Sequence, residues 1–176
     1  MDNQAIRHIS TKVGAEGGLP IGLALSCLFL CVVYLQRDFS FLAMMALLVI
    51  VPAIAAWNVL RFNRLTEGDA TLSRLWFVGT STFLFGSILS TLVIVLWLTY
   101  VEPTFIHDQI VAALELYKST PALKDSELTH MIQQIVDNHQ LPSAFELSMN
   151  VSMWTIISGA FFSLLVAVIV TAVRKK

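Results

Sequence analysis

Residues 75–101 read LWFVGTSTFLFGSILSTLVIVLWLTYV, without one Asp, Glu, Lys or Arg. In hydrocarbon no water is present to bond the backbone, so a run this apolar is stable there only as a helix or within a closed barrel. A helix needs about 20 residues to cross a core of ~30 Å, and this stretch is longer. Three further runs, 13–34, 39–60 and 147–173, share the pattern, and Glu16 is the sole charged residue in all four. The expected architecture is an all-α polytopic membrane protein of four transmembrane helices. A short two-helix extracytoplasmic insert, 102–146, lies between helices 3 and 4, and the whole chain 1–176 is read as a single membrane domain.

Composition agrees with this reading. The chain is 56% hydrophobic and 13% charged, with a mean hydropathy of +0.74, against about 25% charged residues in soluble domains. The net charge of -1 conceals segregation, because 102–146 carries seven acids against Lys118 and Lys124. So acidic a segment argues against nucleic acid as a partner.

Arg7 and Lys12 precede the first run, as in a secretory signal. That run, however, is about 21 residues long and ends Cys31-Val-Val-Tyr-Leu-Gln36 without a small-residue cleavage site, so it reads as a retained span. Nothing near Met1-Asp2-Asn3 resembles a lipid-anchor motif. Cys27 and Cys31 lie four apart on one helix face, where a disulfide is sterically poor. Without further soft ligands at the same depth they read as packing thiols rather than a metal or lipidation site.

Four spans place both termini on one side. With the termini in the cytoplasm, Arg7, Lys12, Arg61, Arg64, Arg74, Arg174, Lys175 and Lys176 lie inside and only Arg37, Lys118 and Lys124 outside. The positive-inside rule selects that threading. Trp57 and Trp76 then fall near the inner surface, and Tyr34, Trp97, Tyr100 and Trp154 near the outer one, as an interfacial belt.

Small residues recur every four positions: Gly14, Gly18, Gly22 and Ser26 in the first span; Thr82, Gly86 and Ser90 in the third; Thr155, Gly159, Ser163, Ala167 and Thr171 in the fourth. In lipid, helices associate through close backbone approach and dispersion, which such stripes permit. The first, third and fourth spans are therefore expected to pack tightly, with Gly14, Gly18, Gly22, Gly86, Gly159 and Ser163 at the contacts. The second span lacks a stripe, and Pro52 near its middle removes one intrahelical bond. Pro20, among glycines, predicts an irregular inner third of the first span. No internal repeat relates the halves, which weighs against a transporter built from matched repeats.

In the insert, Pro103 opens a helix reaching Lys118, with Phe105, Ile106, Ile110, Val111 and Leu114 at helical spacing. A break at Ser119-Thr120-Pro121 precedes a second helix from Asp125 or Ser126. Its Leu128, Met131, Ile132, Ile135 and Val136 form one apolar face, and it ends before Leu141-Pro142. Ser143-Ala-Phe-Glu146 reads as a capping box that starts the last helix. Two such helices bury too little surface to stand alone, so they pack on each other, on the bundle end, on the bilayer or on a partner. The acidic polar face disfavours the bilayer surface.

Chemical motifs are sparse. His107, Asp108, His130, Asp137 and His139 share the insert but match no metal or catalytic pattern, and they read as a solvated face. No cofactor or metal is expected. Glu16, flanked by Gly14, Gly17 and Gly18, is the functional candidate, since an intramembrane acid is a functional hypothesis by default. Its shallow depth also allows a pair with Arg61, Arg64 or headgroups.

The order of spans, the turn Arg61-Phe-Asn-Arg64 followed by Glu67-Gly68-Asp69, the exit Tyr100-Val-Glu-Pro103 before Phe105-Ile106, and the basic C-terminal end together resemble a bacterial family catalogued as domain of unknown function 4199. The resemblance covers nearly the whole chain. It implies a four-pass inner-membrane protein and assigns no activity or functional residue. The expected role is a non-enzymatic accessory or interaction protein of the cell envelope, with the lipid bilayer, an envelope protein or a second copy as partner. The alternative is a small oligomeric transporter or channel, and a membrane enzyme ranks third.

Overall fold

In a computed structural model the described residues are 3–34, 37–120, 126–138 and 141–174, and among them all regular structure is helical. Six helices follow one another: α1 Asn3–Tyr34, α2 Arg37–Leu65, α3 Leu72–Tyr100, α4 Phe105–Ser119, α5 Glu127–Asp137 and α6 Ala144–Arg174. Four are long and apolar enough to cross a membrane: His8–Tyr34, Met44–Leu65, Leu72–Tyr100 and Ala144–Val173. At 1.5 Å per residue, the 29 residues of α3 extend about 44 Å, beyond a ~30 Å hydrocarbon core. The protein is thus a multi-pass integral membrane protein.

α2 and α6 overrun the expected spans at both ends, whereas α1 and α3 overrun them at the start alone. α1 continues unbroken through Pro20, where irregularity was expected. Pro20 is exposed, so its ring is accommodated on the outer face of the helix. α2 extends to Leu65, and Pro52 lies within it. α4 starts at Phe105 rather than Pro103; Pro103 and Thr104 form the turn before it.

The chain forms two compact units, Met1–Val93 with Asn150–Lys176, and Ile94–Met149. In the first, one apolar cluster joins Val13 of α1, Val59 and Phe62 of α2, Leu75 and Val78 of α3, and Ala167 and Val170 of α6. A second gathers Ile21, Val51, Ala55 and Phe83. α2 therefore contributes to both clusters despite having no small-residue stripe.

The α2 to α3 connection closes as a Schellman turn. Gly68 N donates to Asn63 O at 3.0 Å and Glu67 N to Arg64 O at 3.1 Å, which satisfies the last carbonyls of α2. The left-handed position is held by Glu67, at φ 50°, and Gly68 follows at φ 82°.

In the second unit α4 and α5 pack on each other. Leu114 and Thr129 are buried, and the rings of Trp97 and Phe105 meet edge to face with centroids 5.5 Å apart. Trp97 is thus buried rather than part of an exposed belt, because α4 folds its first residue against the indole. Ser126 caps α5 by accepting from Thr129 N at 3.3 Å. The apolar face expected on α5 divides: Ile132, Ile135 and Val136 are half-buried, whereas Leu128 and Met131 are exposed. At the start of α6, Ser143 N donates to Glu146 Oε2 at 2.8 Å and Glu146 N to Ser143 Oγ at 3.2 Å. These reciprocal bonds are the capping box read from the sequence.

Candidate functional site

Small residues let α1 and α3 approach until backbone meets backbone. A Cβ on Gly18 would come within 2.5 Å of Phe85 Cβ and 3.0 Å of Gly86 N; one on Gly22 would stand 2.9 Å from Gly86 O; one on Gly14 would stand 2.7 Å from Ser81 Cβ. Gly86 faces back onto Ile21. Between α3 and α6, Gly79 lies against Ser163, Gly159 lies against the Phe83 ring, and Trp76 Nε1 donates to Ala160 O at 3.0 Å. Ser163 Oγ donates to Gly159 O at 2.7 Å and Ser26 Oγ to Gly22 O at 2.8 Å, so these hydroxyls are satisfied within their own helices.

A polar centre lies beside this seam. Asn58 of α2 is wholly buried and rests on Gly17 of α1. Its Nδ2 donates to Val13 O at 2.9 Å and to Thr82 Oγ1 at 2.8 Å, while Thr82 Oγ1 donates to Val78 O at 2.8 Å. Two acceptors on one nitrogen fix the amide orientation. The other end, Oδ1, is buried without a hydrogen-bond partner among the described residues. Sequence reading passed over Asn58. The signal available was a lone amide one residue from Trp57 in an otherwise apolar run, with Gly17 four residues after Val13 to receive it.

Glu16, the functional candidate, pairs with Arg61 of α2 at 3.1 Å and with Lys12 one helical turn earlier at 3.9 Å. The Glu16 and Arg61 side chains are 40% and 41% exposed. Arg61 also lies 5.9 Å from the centroid of Trp57, a cation–π distance. Glu16 is thus one member of a half-exposed ion-pair and aromatic cluster. Gly14, Gly18, Gly22, Gly86, Gly159 and Ser163 stand on helix contacts in the same unit and offer no free chemical group.

In the other unit His107 Nδ1 lies 3.3 Å from its neighbour Asp108 Oδ1, both exposed. Among the described residues no three His, Cys, Asp or Glu side chains converge as metal ligands. His139 lies outside the described residues. Cys27 and Cys31 are not joined in a disulfide.

No curated protein and no solved structure matches this chain. The profile of one protein family matches residues 17–172, nearly the whole length. The chain belongs to that family, described as protein of unknown function (DUF4199).

Proposed function

We propose that the protein is a non-enzymatic accessory or interaction protein of a bacterial inner membrane, with both termini cytoplasmic and residues 102–146 extracytoplasmic. The observation that carries the role is the surface of the α4–α5 unit. Leu116, Leu128 and Met131 are 65%, 56% and 57% exposed within a segment of seven acids and two lysines. Large apolar side chains left bare on a charged segment support reading it as an interaction surface. Its acidity favours a partner with a basic, apolar face over an anionic bilayer surface. Orientation rests on the eight-to-three division of Lys and Arg.

Native mass spectrometry of the protein extracted into nanodiscs at its natural level tests the role. A second protein at fixed stoichiometry, lost on Leu128→Glu, is expected. A homo-oligomer holding a small solute instead would move the assignment to transport. For orientation, alkaline phosphatase fused after Thr120 should be active and the same enzyme fused after Lys176 inactive; the reverse pattern overturns the threading.

One observation favours the transport reading: the unpartnered Asn58 Oδ1 between spans, where an intramembrane polar group is costly. Asn58→Ala, in protein shown to retain its fold, would abolish a transport activity and leave partner binding unchanged.

A further inference from the structure

The span unit contains a cavity of about 340 Å³, and its walls define what can occupy it. Leu25 and Leu28 of α1, Met44 and Leu48 of α2, and Phe83 and Phe162 form most of the lining. Among the described residues no charged side chain lines it. Two hydroxyls do, from Thr155 and Ser158, and each spends its one proton within its own helix. Thr155 Oγ1 donates to Val151 O at 2.9 Å, and Ser158 Oγ donates to Trp154 O at 2.8 Å and Thr155 O at 3.1 Å. Pro52, also in the wall, has no N–H to present.

Water is a poor occupant, because a buried water needs two to four polar partners, and an engineered hydrocarbon-lined cavity of about 150 Å³ stays dry and binds benzene. This cavity is more than twice that size and falls within the ~300–1,000 Å³ of ligand sites. Its rim is accessible from the side of the spans: Met44 and Leu48 are 51% and 63% exposed. In a multi-pass membrane protein the medium on that side is hydrocarbon. The contents of a dry, laterally open cleft with apolar walls are then set by the bilayer itself.

We propose that this cleft between α1, α2 and α6 is a binding site for one acyl chain of a membrane phospholipid. The chain enters past Met44 and Leu48 and lies against Leu28 and Phe162. This site is independent of the α4–α5 surface and of the accessory role.

The test uses the full chain in maltoside micelles, titrated with a phosphatidylcholine carrying a diazirine in one acyl chain and irradiated. Adducts at Leu28, Met44 and Phe162 are expected to saturate at one probe per chain and to be displaced by unlabelled phosphatidylcholine. Adducts at the outward-facing Phe161 and Leu165 should rise with probe concentration without saturating. Leu48→Trp, which fills the cleft from its rim, should weaken the saturable component about tenfold, the equivalent of ~1.4 kcal/mol, while leaving the Phe161 adducts intact as a check on folding. Cleft adducts that rise in parallel with those at Phe161, or that yield to palmitic acid but not to phosphatidylcholine, would overturn the proposal. Should Leu48→Trp fail to fold, the contrast between saturable and non-saturable labelling in the unaltered protein decides it.

Discussion

Asn58 on α2 and Thr82 on α3 share a hydrogen bond, Nδ2 to Oγ1 at 2.8 Å, at a point where both side chains are wholly buried. The same nitrogen reaches Val13 O on α1, so one amide ties three spans. Because lipid supplies little hydrophobic drive between helices, such a tie carries a larger share of association than it would in a soluble core. Asn58→Ala should cost about 1–3 kcal/mol and Thr82→Val about 1 kcal/mol, with a coupling of ~0.5–2 kcal/mol in a double-mutant cycle. Strict additivity, measured by steric-trap unfolding in bicelles, would show that the bond does not link the helices.

Glycine substitutions should rank by what their new side chain meets. On Gly18 a Cβ is opposed by Gly86 N and Thr82 O, which are backbone and cannot turn aside. On Gly159 it meets the Phe83 ring, and Phe83 borders the apolar cleft, which gives the ring room to move. Gly18→Ala should therefore destabilise by about 2–3 kcal/mol and Gly159→Ala by about 1 kcal/mol, within the range for overpacking. A larger loss at Gly159 in detergent melting would contradict this geometry.

Glu67 occupies the left-handed position of the Schellman turn, where a side chain is strained and glycine is not. Glu67→Gly should raise stability by about 1 kcal/mol, seen as a higher melting temperature. Gly68→Ala, at φ 82°, should lower it. Equal effects of the two changes would mean that the turn adopts another conformation in the bilayer.

The Glu16 to Arg61 pair is about two-fifths exposed on each side, so solvent and salt weaken it, and Glu16→Gln should cost about 0–1 kcal/mol. The stability difference should shrink further at 1 M salt. A loss of several kcal/mol that persists in high salt would show Glu16 to be functionally buried and would restore its claim to an ion-coupling role.

Four helices are legible in the sequence because long apolar runs with at most one charge have no other stable form in hydrocarbon, and the box at Ser143 and Glu146 is legible because its two residue types make reciprocal bonds. What the sequence hides is which side of each span faces a neighbour. In water an amphipathic period reveals the buried face; in a bilayer lipid and neighbour are equally apolar, so Val59, wholly packed, and Leu60, partly exposed, look alike. Small residues four apart mark faces on α1, α3 and α6 that are expected to pack, and the structure supplies the pairing, α1 on α3 and α3 on α6. Trp97 illustrates the same limit. Its position fits an interfacial belt, yet the fold of α4 places Phe105 over it. Asn58 is not legible in the sequence because a single amide near Trp57 reads as an interfacial residue, and its burial depends on Gly17 of another helix.

Site-specific photo-crosslinking from position 128 in living cells tests the accessory role most directly, with position 168 on α6 as a lipid-facing control. A crosslinking residue at 128 should give one discrete adduct with a second envelope protein, abolished by Met131→Glu, while position 168 gives lipid adducts alone. Adducts at 128 formed solely with lipid or with other copies of the chain would contradict the account.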